Sequence, residues 1–163
     1  MANLSSLIGG NGWEHFGEIT KRKAANASGQ DVAGDTLTTV ELDTEHLDTG
    51  NKVSLSANVI TLEAGTYEFN LDLRGYESNG TGSAHFRLWN ITDSSILNSC
   101  EISNSTPSGS GHYDMKGVFQ LSSQKDIRIE VLSESGGHFD YSASTITQTD
   151  EFDSVKFQFK WKS

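Results

Sequence analysis

Five histidines, His15, His46, His85, His112 and His138, are the first residues equipped to do chemistry. None is spaced as H-x-H or H-E-x-x-H, the patterns that set two imidazoles on one metal ion. A histidine on a three-fold axis would gather three copies of itself around an ion, but for each one alone a surface position is the expectation. Two acidic clusters, Glu41, Asp43, Glu45 and Asp48, and Asp150, Glu151 and Asp153, offer oxygen ligands of the kind calcium takes. Neither follows the spaced D-x-[DN]-x-[DN]-G loop, so both are expected to be solvated faces. Cys100 is the single cysteine, which excludes an internal disulfide and a cysteine-based zinc site within one chain. It reads as a partly buried free thiol. No G-x-S-x-G elbow, P-loop or G-x-G-x-x-G fingerprint is present. The carboxylate pair of a glycosidase is defined by its separation in the fold, so the sequence does not decide it. Catalytic residues, metals and cofactors are therefore not expected, and an enzyme is the least favoured class. Asn26, Asn79, Asn90 and Asn104 stand in N-x-[ST] sequons, which the polar turn composition explains without glycosylation.

Positioning such residues requires elements, and those elements read as strands. Val59 to Glu77, VITLEAGTYEFNLDLRGYE, carries the clearest pattern. Tyr67, Phe69, Leu71 and Leu73 share one face of an extended chain; Glu68, Asn70, Asp72 and Arg74 share the other. A period of two marks a strand with one buried face and one wet face. Gly65 permits the tight turn that leads into it. Burying four such side chains is worth roughly 1.5–3 kcal/mol each as an upper estimate. Shorter alternations follow at residues 37–42, 53–55, 85–91, 96–97, 117–121, 127–131 and 139–141. Val155, Phe157, Phe159 and Trp161 alternate with Lys156, Gln158, Lys160 and Lys162 in a last strand. So apolar a strand belongs in the middle of a sheet, since an exposed edge of that composition invites aggregation. About eight to ten short strands with polar turns imply a sandwich or barrel. Ser78–Ser83, Ser103–Tyr113 and Ser133–His138 read as loops.

Residues 1–34 differ. Leu4, Leu7 and Ile8 suit one helical turn, Gly9-Gly10-Asn11-Gly12 breaks it, and Trp13 and Phe16 have no obvious strand around them. Residues 24–34 read as a loop or linker. The segment is expected to be an N-terminal arm, anchor and linker, with residues 35–163 as the domain. Two readings stay open: an arm docking elsewhere through Leu4, Leu7, Ile8, Trp13 and Phe16, or a frayed terminus with Trp13 tucked against the domain.

The chain has 163 residues, enough for one domain with a real core, and a formal net charge of −10. Lys21, Arg22 and Lys23 balance Glu14, Glu18 and Asp31 in residues 1–34, so the rest of the chain carries the deficit. Such a surface disfavours a nucleic-acid partner. No apolar run is long enough for a membrane span, and no secretory signal peptide is apparent.

Three segments carry a resemblance. Leu62-Glu63-Ala64-Gly65-Thr66-Tyr67-Glu68-Phe69, Phe86-Arg87-Leu88-Trp89-Asn90-Ile91-Thr92-Asp93 and Gly117-Val118-Phe119-Gln120-Leu121 occur in this order, followed by the Val155–Trp161 strand. Over residues 35–163 the chain resembles the C1q/TNF-like jelly rolls, and most of all those of bacteriophage structural proteins. The collagen-like stalk, signal peptide and cysteine pair of secreted relatives are absent, which argues against an animal secreted ligand. The resemblance implies an all-β jelly-roll sandwich that forms a homotrimer. Tyr67, Phe69, Phe119, Phe157, Phe159 and Trp161 are candidates for the trimer seam, some of which must instead form the core of one subunit. If the wet face of the long strand meets a neighbour, Arg74 pairs with a carboxylate there.

The expected function is that of a virion protein on the exterior of a phage particle, assembled in the host cytoplasm. It is a capsid decoration, head fibre or short tail knob, with a slight tilt towards decoration. The N-terminal arm would hold it to other capsid or tail proteins. Asn79, Thr81, His112, Tyr113 and His138 in the distal loops would meet a host-surface glycan or protein. The alternative is a stand-alone carbohydrate-binding module, monomeric, with Trp89 and Tyr76 as its aromatic platform.

Overall fold

The long strand is the centre of a seven-stranded sheet. The computed structural model describes residues 12–23, 29–78, 82–104, 110–139 and 152–163. In chain order the strands are β1 (His15–Lys23), β2 (Asp31–Val32), β3 (Thr38–Thr39), β4 (Thr44–Asp48), β5 (Val53–Ser56), β6 (Val59–Leu62) and β7 (Gly65–Ser78). They continue with β8 (Gly82–Asn90), β9 (Ser95–Asn104), β10 (Ser110–Leu121), β11 (Lys125–Ser133), β12 (Gly137–Phe139) and β13 (Phe152–Lys162). No helix occurs among the described residues. The all-β expectation holds, with more strands than the sequence suggested because β2, β3 and β12 span only two or three residues.

β10 runs along one side of β7 from Leu121↔Gly65 to Ser110↔Glu77. The other side is shared: β13 pairs with residues 66–73 and β12 with residues 76–78. Beyond β13 come β1 and then β4. The second sheet runs β5-β6-β11-β8-β9, with β3 pairing β11. All named strand pairings are antiparallel. The β13 strand lies inside its sheet, as its composition required.

Alternation decides the core. Tyr67, Phe69, Leu71 and Leu73 of β7 align with Trp161, Phe159, Phe157 and Val155 of β13, and all eight are buried. Ile60, Leu62, Phe86, Leu88, Ile127, Ile129 and Val131 of the second sheet are buried as well. All six seam candidates, Tyr67, Phe69, Phe119, Phe157, Phe159 and Trp161, belong to this core. Tyr67 stacks on Phe119 at 5.2 Å and meets Phe159 edge-on at 5.8 Å. Their burial is complete within one chain, so none of them is exposed to line a seam.

Residues 15–23 correct the reading of an N-terminal arm. They form β1, an inner strand between β13 and β4. Its inward positions are His15, Gly17, Ile19 and Lys21, of which only Ile19 is a large apolar residue, so no alternation shows. The irregular choice has a packing reason. A Cβ on Gly17 would lie 1.9 Å from Phe159 Cζ, so the ring fills the space a side chain would need. The His15 ring packs at a tilt against Trp161, with centroids 5.1 Å apart. The Glu14 amide donates to the Trp161 carbonyl at 2.9 Å, and Lys162 Nζ lies 5.1 Å from the Trp13 ring centroid. Trp13 is thus held beside β13. β2 adds to the other end through β12. Leu4, Leu7 and Ile8 lie outside the described residues.

Candidate functional site

The face of the large sheet turned away from the core is built by register. Across β10, β7, β13, β1 and β4, one row reads Lys116, Asn70, Gln158, Glu18 and Leu47. The row beside it reads Val118, Glu68, Lys160 and Phe16, and the row on the other side Asp114, Asp72, Lys156, Thr20 and Thr44. An open groove of about 620 Å³ crosses this face, and Phe16, Leu47 and Val118 give it an apolar lining. Leu47 is 47% and Val118 62% exposed.

Charged groups on the face are largely matched to one another. Lys160 Nζ meets Glu68 at 2.9 Å, and Gln158 Nε2 donates to Glu18 Oε2 at 2.6 Å. Lys116 pairs with Asp114 on its own strand. Lys156 lies 3.5 Å from Glu18 and 3.6 Å from Asp153. Buried oxygens on this face lack hydrogen-bond partners, namely Thr20 Oγ1, Asn70 Oδ1 and Asp153 Oδ1. Asp72 is 6% exposed, so the strand's second face is far from fully wet. The Arg74 side chain lies outside what is described; its backbone pairs with His112.

Two β-bulges shape one corner of the face. Ser154 is the extra residue where β13 passes Lys21 and Arg22, and His46 is the extra residue where β4 passes Glu18 and Ile19. A bulge flips the alternation, which turns Asp153 to the outer face with Arg22. Three of the four acidic residues of the first cluster are already engaged. Glu41 and Asp43 each meet Lys21 Nζ at 3.0 Å, and Asp48 accepts from the Gly50 and Val53 amides. Burial alone would lower the Lys21 pKa; its two carboxylate partners outweigh that and raise it. Burial alone would raise the Asp43 pKa; the Arg22 amide, Lys21 and Thr44 together hold it down. Of the second cluster, Asp150 and Glu151 lie outside the described residues.

The distal-loop candidates divide. Asn79 and Thr81 lie outside the described residues. His112 and Tyr113 stand on β10, with Tyr113 part-buried against the core, and His138 stands on β12 opposite Glu77 and Asp31. They are strand residues, because β10 begins at Ser110 and β12 at Gly137. The strand ends nevertheless gather. Ser78, Gly82, Asn104, Ser110, Ser133 and Gly137 meet at one end of the sandwich. Glu14, Gly65, Leu121 and Trp161 meet at the other. Trp89 is half-buried, with the Arg87 guanidinium 4.3 Å from its ring centroid. One face of that platform is therefore taken, and the Tyr76 side chain lies outside what is described.

Comparison with solved structures places this architecture. Murine APRIL at pH 8.5 superposes with a TM-score of 0.56 at 11% identity, over 91% of this chain and 98% of that one. At pH 5.0 the same protein gives 0.56 at 14% identity, over 91% and 100%. The globular domain of zebrafish complement 1qA gives 0.51 at 13% identity, over 91% and 96%. The chain has a C1q/TNF-like jelly-roll fold. No protein-family model and no curated protein matches it.

Proposed function

We propose that the chain is a non-enzymatic homotrimeric module on the exterior of a bacteriophage particle, a capsid decoration, head fibre or short tail knob. Its copies join through the outer face of the seven-stranded sheet. The observation that carries the assembly is the character of that face. Exposed Leu47 and Val118 and half-buried Phe16 line one groove with the buried, unpartnered Asn70 oxygen. Apolar side chains gain by leaving water, and orphaned polar atoms gain by finding a partner.

Charge selects a second copy of this chain as the occupant. On a molecule of net charge −10, the described cations of this face, Arg22, Lys116, Lys156 and Lys160, nearly balance its anions, Glu18, Glu68, Asp72, Asp114 and Asp153. Two copies approaching by other surfaces repel each other more strongly. The opposed ends suit display, with the Gly12–Glu14 end towards the particle and the loop end outward, where a host-surface glycan or protein is the ligand. The phage setting rests on the sequence resemblance.

Sedimentation equilibrium tests the assembly. The wild-type chain is expected at about three times its 17.7 kDa mass, and Leu47→Asp combined with Val118→Asp is expected to yield folded monomers. A wild-type monomer at micromolar concentration would sink the trimer and leave the stand-alone binding module. Immunogold electron microscopy of native particles tests the location. Label on the particle exterior is expected; label absent from particles would overturn the virion reading.

A further inference from the structure

Glu18, His46 and Asp153 come from three neighbouring strands, yet their ligand atoms all lie within 4.8 Å of one another. His46 Nε2 and Asp153 Oδ1 are 3.6 Å apart. The two bulges bring this about, since regular pairing would aim Asp153 into the core and leave His46 without its extra place in β4.

An independent observation points into the cluster. Thr20 is fully buried, and its Oγ1 has no hydrogen-bond partner. Its neighbours on this face are Glu18 and Arg22 along β1, Lys156 across in β13 and Thr44 across in β4. Register thus sets Thr20 between Glu18 and Arg22, on the face that carries the three side chains. A buried hydroxyl without a partner costs free energy that a bound cation would recover.

Lys156 stays 3.5 Å from Glu18 and 3.6 Å from Asp153, and Arg22 Nε stays 3.6 Å from Asp153 Oδ1, itself without a hydrogen bond. An Arg22 terminal nitrogen lies 3.1 Å from His46 Nε2, which must then accept, leaving the ring proton on Nδ1. That is the tautomer a metal at Nε2 requires.

We propose that Glu18, His46 and Asp153, with the neighbouring Thr20 hydroxyl, form a binding site for a divalent transition ion of the zinc type. One imidazole nitrogen with two carboxylates favours such an ion over calcium or magnesium, which take oxygen alone. The Arg22 guanidinium is the competing cation. Its side chain is 44% exposed, and its backbone amide donates to the Asp43 carboxylate at 3.0 Å. All the ligand atoms come from one chain, so the site does not rest on the assembly proposed above.

Titration of chelator-treated full chain with zinc, calcium and magnesium chlorides by calorimetry tests the site. One zinc ion per chain is expected, with no saturable calcium or magnesium uptake. His46→Ala and the milder Asp153→Asn should each weaken zinc binding by at least about tenfold. His85→Ala, in a surface pair with Glu101, should leave it unchanged. Arg22→Ala should tighten it, a result that a purely structural ion-pair network does not produce. Cobalt in place of zinc should show visible d–d bands that His46→Ala abolishes. Absence of saturable zinc binding would overturn the site, as would binding indifferent to His46→Ala and Asp153→Asn. Zinc affinity unchanged or lowered by Arg22→Ala would make the guanidinium a structural partner and overturn it too.

Discussion

Tyr67 shows how burial at one residue becomes a property of the whole chain. Its ring is fully buried between Phe119 and Phe159, and its hydroxyl donates to the Glu63 carbonyl at 2.8 Å. Burial, then the Glu63 and Asp48 carboxylates, push its pKa far above the usual tyrosine value. A raised value favours the protonated form in the folded state. The linked stability is fully present below the unfolded-state pKa of about 10 and is lost as pH rises beyond it towards the folded value. Thermal melts should therefore fall more steeply above pH about 10 in wild type than in Tyr67→Phe. Parallel curves would show that the phenol does not govern alkaline unfolding. Cys100 obeys the same rule. Burial, opposed by the Phe86 amide and aided by Asp114, raises its thiol pKa and depletes the thiolate. A thiol-specific disulfide reagent at pH about 8 should react with the native chain far more slowly than with the unfolded one, and equal rates would mean that the thiol is open.

At the scale of elements, legibility followed the contrast between faces. β7, β8, β11 and β13 have one apolar and one polar face, and each was visible as an alternation. β1 was not, because Gly17 leaves room for the Phe159 ring and His15 covers Trp161: the strand is shaped by what its neighbour puts into it. β4, Thr-Glu-His-Leu-Asp, has no buried face to reveal it. The outer face was hidden for a related reason. Phe16, Leu47 and Val118 are isolated apolar residues in sequence, and only the registers of β10, β7, β13, β1 and β4 bring them to one groove. The corner holding Glu18, His46 and Asp153 was harder still, since the bulges that create it break the alternation on which strand reading depends. Gly17→Ala tests the role of β1. The new methyl collides with a buried ring, so a loss of about 1–3 kcal/mol in urea denaturation is expected. An unchanged midpoint would show that Phe159 has room to move. Deleting residues 1–23 should abolish cooperative unfolding, because it strips a central strand from its sheet; a chain that still melts sharply would return those residues to the status of an arm.

For the whole molecule, the two ends of the sandwich matter as much as its faces. The Glu14 amide and the Trp161 carbonyl meet at one end, while the Ser133–Gly137 turn stands at the other. A particle-bound module that grips a host would carry load along this axis, and β1 is the strand through which the load enters. Its backbone bonds to β13 and β4 lie across the pull, so a tug from Gly12 towards the Ser133–Gly137 turn stretches them all together, in shear. A tug between Gly12 and Ser163, which flank the paired strands β1 and β13 at the same end, peels the rungs one after another instead. Single-molecule pulling with handles at residues 12 and 135 should therefore need a markedly higher force than with handles at residues 12 and 163. Equal rupture forces would deny the sandwich its directional strength. On the reading proposed above, the inner strand β1 is a tether built into the body, strong along the axis that joins the two ends of the sandwich and weak across its paired termini.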